Sequence, residues 1–406
     1  MTIKSSIPKL IREILLVNLF IANIFIASIT NYSLNSFILK AISTIFLFTV
    51  IITDCKITQL DLINHLKTRN FKILLLILSF FILIPFISLS YSTNLTFGFQ
   101  KLISFSISSI PTILAFFYIL LTLNNERYRT FIFSTIIISI ISVILILIIE
   151  PFSYDGSSIK SLTSWSHVIY GRFISSVFII ILFYLLNLKN KKLIPPASLC
   201  LSIIIIGIFL SGLRAALLGV IIFTLLILLI YLFQKRLSAL NLSGLLFSII
   251  ISLLIINTFP AENKMLSNRF NNLQDIEDFR FNYDSPIHTR YNSYDICIEI
   301  IKERPFLGTG FGGFRNYNND YFTKTIKYPH NIFLEFFVEL GIPGVLLLLF
   351  LLYLIYSSTK KISVEIFIFF LFALWLAMFS KDIPSQSLLW IGLGFLGLKN
   401  SRLSIY

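Results

Sequence analysis

The sequence predicts an all-α, polytopic membrane protein with about twelve transmembrane helices and one large, partly helical outer loop. Hydrophobic residues make up 56% of the 406 residues and charged residues only 13%, whereas soluble domains are about one-quarter charged. Apolar runs of about 20 residues, the length that crosses a bilayer, recur from end to end. Backbone groups in hydrocarbon must be satisfied within the segment, so these runs are predicted to be helices.

Twelve apolar segments are long enough to be spans. They are predicted at 11–30, 35–53, 71–90, 102–123, 130–150, 167–187, 194–212, 215–234, 242–260, 330–356, 362–380 and 383–398. The seventh and eighth abut, and as one helix they would extend about 60 Å, twice a bilayer. Ser211-Gly212 is therefore predicted to form a tight hairpin. The first segment lacks a small-residue cleavage site and is predicted to be retained as a span.

Positive charge predicts the orientation. With both termini cytoplasmic, inside segments hold 18 of the 33 Lys and Arg residues. Nine others lie in segment 261–329, which the positive-inside rule discounts because long loops translocate regardless of charge. The formal charge of +14 thus reflects topology and contact with anionic membrane lipids, and nucleic acid is not an expected partner.

A single integral membrane domain is predicted over residues 1–406, with 261–329 inserted as an outer loop between the ninth and tenth spans. Within this loop, Ser285-Pro286 is typical of a helix start, and an amphipathic helix is predicted from there to Glu303. The glycines at 308–313 then predict a flexible turn. Three cysteines, placed in an inner loop, a span and the outer segment, form neither a disulfide framework nor a metal cluster.

His330 has the most informative position of any polar residue. It lies at the start of the tenth span, in YPHNIFLEFFVELGIPG (328–344). The dipole at a helix N-terminus disfavours imidazolium, so the ring is predicted to stay neutral, as a general base must be. For His330 taken alone, an interfacial histidine bonded to a loop is the preferred interpretation, and it is the neighbouring residues that favour a catalytic one.

Three arginines are predicted on the same outer side as His330. Arg172 opens the sixth span, Arg214 opens the eighth, and Arg290 lies in the outer helix. An arginine near bilayer depth needs an anionic partner, although snorkelling to the interface is an equal alternative for Arg214. Guanidinium groups bind phosphate oxygens through paired hydrogen bonds. Several arginines and one neutral base predict a substrate with a diphosphate leaving group and a hydroxyl nucleophile.

Four further side chains are predicted to support this site. Asn331, Glu335 and Glu339 share one face of the tenth span, and Tyr294 follows Arg290 by one helical turn. A buried carboxylate must be paired, so either glutamate could orient an arginine. Holding the outer helix against the bundle is an equally good interpretation.

No metal and no cofactor are predicted. No His/Cys set has ligand spacing, and Asp275, Glu277 and Asp278 form the kind of acidic run that is usually solvated. Glycines within 308–313 fit GxGxxG, but no strand–helix unit surrounds them and the segment faces away from nucleotide pools.

Three motifs resemble the O-antigen ligase and polymerase superfamily of bacterial envelope glycan transferases. They are SGLRAALLG (211–219), Arg290 followed by ERPFLGTGFG (303–312), and PHNIFLEFFVELGIPG (329–344). The motifs occur in the family's order, and the spans and large loop are similar too. The resemblance implies a GT-C-like fold in the bacterial inner membrane, with cytoplasmic termini and a periplasmic active site.

The resemblance also implies the chemistry. The donor would be a glycan on undecaprenyl diphosphate. Arg214 and Arg290, with Arg172 as a further candidate, would hold the diphosphate. His330 would take the proton from the acceptor hydroxyl that attacks the anomeric carbon, with inversion and without metal.

The motifs leave the acceptor open. In a ligase it is a sugar of lipid A-core, and in a polymerase it is a second lipid-linked repeat unit. The short loop 151–166 and SHVIYG (166–171) look more ligase-like, whereas YPHNIFLE also looks like many polymerases. O-antigen ligase is the preferred hypothesis and polymerase the alternative. A lipid-linked oligosaccharide flippase is a remote third, because the polar residues cluster at one face and no internal repeat occurs.

Overall fold

The computed structural model of the chain describes residues 6–27, 33–58, 67–149, 167–257, 286–317, 328–359 and 363–397. These residues are overwhelmingly helical and form no strand. Nine helices among them are long and apolar enough to cross a membrane. The predicted all-α polytopic fold is therefore confirmed.

Fourteen α-helices are labelled here in chain order. They are α1 Ser6–Ala27, α2 Leu34–Thr58, α3 Arg69–Ser88, α4 Leu95–Ser104, α5 Ile110–Leu121, α6 Asn125–Ile149, α7 His167–Leu186, α8 Ile194–Ser211, α9 Arg214–Phe233, α10 Ala239–Asn257, α11 Pro286–Glu303, α12 Ile332–Thr359, α13 Val364–Ala377 and α14 Ser387–Trp390. A π-helical turn, Phe105–Ser109, joins α4 to α5.

The nine candidate spans correspond to the second through tenth predicted segments. The first predicted segment is also a helix, α1, whereas the eleventh forms the shorter α13. Segment 383–398, predicted as the twelfth span, forms short helical turns through Gly397 instead. Side-chain hydrogen bonds hold the backbone of this segment. The Gln386 side-chain amide donates to the Ser380 and Lys381 carbonyls, and the Trp390 indole donates to the Ile383 carbonyl.

The chain divides into two compact units. Unit 1 contains α1–α5, α11, α12 and the C-terminal turns. An aromatic cluster lies in its interior, where Phe81 meets Phe105 and Trp390 edge-on at centroid distances of 4.7 and 4.9 Å. Such edge-to-face pairs are favourable and leave little room for alternative packing.

The glycine-rich turn at 308–313 is buried and anchored, so the prediction of a flexible turn is wrong. The Thr93 amide donates to the Thr309 carbonyl at 3.0 Å, and the Ser92 hydroxyl donates to that of Phe311 at 3.0 Å. On the other side, the Thr309 amide donates to the Val338 carbonyl at 2.8 Å. The glycines serve tight packing: Gly312 has φ 76°, and a Cβ on it would collide with the Gly98 backbone.

Helix α12 is kinked at Gly341, whose φ of 64° and ψ of −155° are not helical. Pro343 follows and has no amide hydrogen to continue the ladder. The Ile342 amide donates instead to the Pro305 carbonyl, in the loop after α11, at 3.0 Å. This loop therefore satisfies an amide that the kink releases, and the bond fixes the loop to α12.

Unit 2 contains α7–α10, most of α6 and residues Leu371–Leu376. Small residues let its helices approach closely, since the Ser248 and Ser252 hydroxyls donate across to the Ser198 and Ser202 carbonyls at 2.9 and 3.0 Å. The predicted hairpin between α8 and α9 is confirmed: Gly212 ends α8 in the left-handed conformation, with φ 59°.

Candidate active site

His330 lies immediately before α12. Asn331 caps the helix, because its Oδ1 accepts from the Phe333 and Leu334 amides at 3.0 and 3.2 Å. His330 itself has φ 60°, a left-handed conformation that is uncommon for a residue other than glycine and occurs often at functional sites. Its ring packs against Tyr328, with 4.5 Å between the ring centroids.

The surroundings of His330 favour the neutral ring. Burial, followed by the positive charges of Arg290 and Lys381, lowers the pKa of His330 from its ordinary value of 6.5 to about 4, against the opposing effect of Asp382. The neutral ring agrees with the prediction, but burial and neighbouring cations replace the helix dipole as its cause. The Nδ1 atom is buried and has no hydrogen-bond partner among the described residues.

Helix α11 brings Arg290 and Tyr294 to the start of α12. Arg290 interacts with His330 through charge, and the Tyr294 side chain shares a hydrogen bond with Asn331. Burial raises the pKa of the Tyr294 phenol, while Arg290 and Asn331 oppose the shift. One turn on, buried Cys297 packs in a small core with Ile300, Phe314 and Val338, which fixes α11 in place. The helix that was predicted from Pro286 to Glu303 thus carries its two polar candidates to His330.

Glu335 and Glu339 are fully buried and pair with Lys101 of α4. The Lys101 Nζ lies 2.5 Å from Glu335 Oε1 and 2.7 Å from Glu339 Oε2. The Phe311 ring covers the ammonium group, with its centroid 4.6 Å from Nζ. The prediction that a glutamate orients an arginine is therefore corrected: their counter-ion is a lysine, which can make three hydrogen bonds to the two carboxylates.

The same cluster extends to the turn after α13. The Ile383 amide donates to Glu335 Oε1 at 3.1 Å, so the carboxylate that holds Lys101 also holds this turn. Lys381 and Asp382 are buried there, and both act on His330 through charge. Lys381 has φ 68°, the same unusual backbone region as His330. His330 therefore has a strained backbone, and a second strained residue, Lys381, acts on its ring together with Asp382 and Arg290.

Arg172 and Arg214 lie in unit 2. Arg172 is buried near the start of α7, whereas Arg214 is exposed at the first residue of α9. Gly171 packs directly against Ser211 and Leu213, so the start of α7 contacts the turn that leads to Arg214. Within this unit Arg172 and Arg214 therefore each follow directly on one of two segments that contact each other. A shared role with His330 and Arg290 stays a prediction.

Among the described residues, no three His, Cys, Asp or Glu side chains form a group that could hold a metal ion. The acidic run Asp275, Glu277 and Asp278 lies outside the described residues.

The sequence-based prediction missed Lys101, Lys381 and Asp382. Each lies within or next to an apolar segment, where charged residues are rare and usually functional. That rule, applied to every charged residue bordering a predicted span, would have identified all three. It would not have given their partners, which come from helices far apart in the chain.

The described fold and site define a multi-pass α-helical membrane protein with a buried, partly cationic histidine site. Residues 199–349 match a family model described as O-antigen ligase, and this match supports membership of the O-antigen ligase and polymerase superfamily. It supports a glycosyltransferase function of this general type and implies lipid-linked glycan substrates. The matched region contains Arg214, Arg290 and His330 but not Arg172. No curated protein matches the chain significantly.

Proposed function

We propose that this protein is an O-antigen ligase of the bacterial inner membrane. It would move a glycan from undecaprenyl diphosphate to a sugar hydroxyl of lipid A-core at the periplasmic face. The observation that carries the proposal is the neutral His330 at the membrane border, with Arg290 and Lys381 as cationic neighbours. A neutral base beside cations suits a hydroxyl nucleophile and an anionic leaving group.

In the proposed reaction, His330 accepts the proton of the acceptor hydroxyl as its oxygen attacks the anomeric carbon. The new glycosidic bond forms as the bond from that carbon to the diphosphate oxygen breaks. The diphosphate leaves with the bonding electrons, and Arg290 and Arg214, with Arg172 as a further candidate, stabilise its charge. Attack opposite the leaving group inverts the anomeric centre, and no step requires a metal.

Donor binding would also strengthen the base. In the free protein burial, assisted by Arg290 and Lys381, holds the His330 pKa near 4, which makes the ring a weak base. A bound diphosphate places negative charge beside these cations and offsets their effect. The His330 pKa then rises toward its ordinary value, where proton transfer from the acceptor is more favourable.

The supporting residues keep this arrangement in place. Asn331 caps the helix behind His330, and Tyr294 bonds to Asn331 from α11. Glu335 and Glu339 act through Lys101 and the turn at Ile383, so they are positioning residues rather than groups that touch substrate.

A deletion strain tests the proposed acceptor. Long glycans that accumulate on undecaprenyl diphosphate, with lipid A-core left bare, are the result expected of a ligase. Single lipid-linked repeat units would contradict ligation and support the second candidate, an O-antigen polymerase, which the motif YPHNIFLE also resembles. Normal lipid-linked intermediates together with normal lipopolysaccharide would exclude both.

The diphosphate role of Arg214 has its own test. Arg214→Lys keeps the charge but replaces a two-pronged group with a point charge, so we expect transfer to fall nearly as far as in Arg214→Ala. The glycan carried by lipopolysaccharide, resolved on gels, and the amount of protein inserted in the membrane would be measured in the same cells. Full transfer by Arg214→Lys would contradict paired binding of phosphate oxygens.

A further inference from the structure

Phe306 and Leu307 form an exposed apolar pair that the proposed reaction does not use. Their side chains are 71% and 57% exposed, and they follow α11 directly. The exposed face of α11 itself is mixed: it carries the charged residues Asp295, Glu299 and Lys302 together with Tyr291 and Ile298. Two adjacent large apolar side chains beside a charged helix indicate a contact surface.

The position of this pair relative to α12 is fixed. The Pro305 carbonyl accepts from the Ile342 amide at 3.0 Å. The Phe306 carbonyl packs against Gly341, where a Cβ would collide with it. Because Gly341 also has φ 64°, the contact depends on glycine at the kink.

The length of α12 places this contact at a membrane boundary. The whole helix has 28 residues and would extend about 42 Å, more than the hydrocarbon core requires. Residues 342–359, beyond the kink, extend about 27 Å and match that core alone. Gly341 therefore lies at one edge of the hydrocarbon layer, and the turn that precedes it lies outside.

The apolar pair also continues a lipid-facing surface. Beyond the kink, α12 exposes an apolar stripe with helical spacing. Its members are Ile342, Leu346, Leu349 and Phe350. The loop that carries Phe306 and Leu307 adjoins this stripe, because the Pro305 carbonyl accepts from the amide of its first member, Ile342.

We propose that Phe306 and Leu307 insert into the lipid acyl chains at this edge of the membrane. The insertion fixes the depth of α11, and with it the height of Arg290 above the hydrocarbon. The occupant we propose is bilayer lipid rather than a carrier's polyprenyl chain, because the pair adjoins an exposed apolar stripe on a helix long and apolar enough to cross a membrane. The inference does not depend on the proposed reaction.

Spin labels in lipid nanodiscs test the proposal on the full chain. A label at Phe306→Cys, with the native cysteines Cys55, Cys200 and Cys297 replaced by alanine, is compared with two controls. Leu346→Cys is 62% exposed on the lipid-facing stripe, and Ile298→Cys is 48% exposed on the charged helix α11. We expect the Phe306 label, like that at Leu346, to be relaxed by oxygen and shielded from a water-soluble nickel complex. A Phe306 label as accessible to nickel as the label at Ile298 would overturn the proposal.

A second measurement keeps the native cysteines, because Cys297 is fully buried and its replacement could disturb folding. The photoreactive p-benzoylphenylalanine replaces Phe306, or Leu346 as the positive control, and adducts are identified by mass. Phospholipid adducts at position 306 without any donor are expected. Adducts at Leu346 but none at 306, or adducts at 306 only when a polyprenyl-linked donor is added, would contradict insertion into bilayer lipid.

Discussion

Unit 1 contains two buried ionic clusters that differ in how their charges are matched. In the first, at the predicted inner side, Arg127 donates to both Glu13 oxygens, the shorter at 2.5 Å, and to Asp54 at 2.9 Å. Asp54 also pairs with Arg12 at 2.7 Å, so two arginines balance two carboxylates. The charges of the second cluster are arranged differently: the two buried glutamates pair with Lys101, while two cations and one carboxylate, Arg290, Lys381 and Asp382, act on His330.

From this difference we infer a structural role for the first cluster and, under the proposed function, a binding role for the second. In the first cluster the ionic contacts join helices α1, α2 and α6. In the second cluster Glu335 and Glu339 hold Lys101, while Arg290, Lys381 and Asp382 act through charge on His330. Left-handed backbone at His330 and Lys381 occurs in this cluster, whereas no such residue contributes to the first.

Removing His330 should have the largest effect on function. We expect His330→Asn to lower glycan transfer about 10²- to 10⁴-fold, the range for loss of a general base. Asparagine tolerates the left-handed conformation, so the backbone should persist. Transfer and membrane insertion would be measured in parallel with His330→Ala. Normal transfer by His330→Asn would show that position 330 matters for its backbone and not for its imidazole.

The second largest expected effect is a loss of stability when Lys101 is removed from the cluster that it forms with Glu335 and Glu339. Lys101→Met leaves Glu335 and Glu339 buried without their counter-ion, which typically destabilises by about 3–5 kcal/mol. Thermal unfolding in nanodiscs would report the loss. The matched variant Lys101→Met/Glu335→Gln/Glu339→Gln removes the uncompensated charge, and we expect it to recover most of the stability. Equal destabilisation of the single and triple variants would contradict the ionic explanation.

Removing Arg127 from the cluster of Arg12, Glu13 and Asp54 should have a smaller effect on stability and almost none on glycan transfer. Arg127→Met leaves Glu13 without its counter-ion, but Arg12 still pairs with Asp54. We therefore expect a loss of about 3 kcal/mol in the free energy of unfolding, the lower end of the range for breaking a buried ion pair. The inserted fraction should transfer glycan at the normal rate. A specific rate reduced as far as in His330→Asn would contradict the division of roles between the clusters.

The smallest expected effect is a displaced pH profile. His330 must be neutral to act, so kcat/KM should hold from neutral pH down to about pH 5 and fall toward its pKa of about 4. The acid limb of kcat should lie at higher pH, because bound diphosphate offsets Arg290 and Lys381. Lys381→Met should move the kcat/KM limb upward as well. Identical limbs in the wild-type protein and Lys381→Met would contradict the influence of Lys381.

The same shift has a consequence for stability. The folded pKa of His330 lies below its ordinary value of 6.5, so the unfolded chain binds more protons between those two values. The contribution of His330 to stability is therefore present above pH 6.5 and is lost as the pH falls toward 4. In His330→Asn this part of the acid sensitivity should be missing from thermal unfolding curves.

Most helices were predictable from local patterns, and so was the part of the site formed by α11 and by His330 at the start of α12. Apolar runs identified nine candidate spans, and the combined length of two abutting spans identified the hairpin at Ser211-Gly212. The helix Pro286–Glu303 was predicted from its start at Ser285-Pro286. Failures occurred where bonds to distant segments fix the backbone, as in the buried glycine turn, which bonds to Thr93 and Val338, and in the irregular segment after α13, where Ile383 bonds to Glu335.

By itself, the sequence determined the membrane fold, the helix that presents Arg290, and the position of His330 at a helix start, because hydropathy, caps and turns act over a few residues. Only the tertiary structure decided which charges meet. It paired both glutamates with Lys101, placed Lys381 and Asp382 near His330, and anchored the glycine turn to α12. Such pairings depend on how distant helices pack, and burial determines their strength, so no local pattern encodes them.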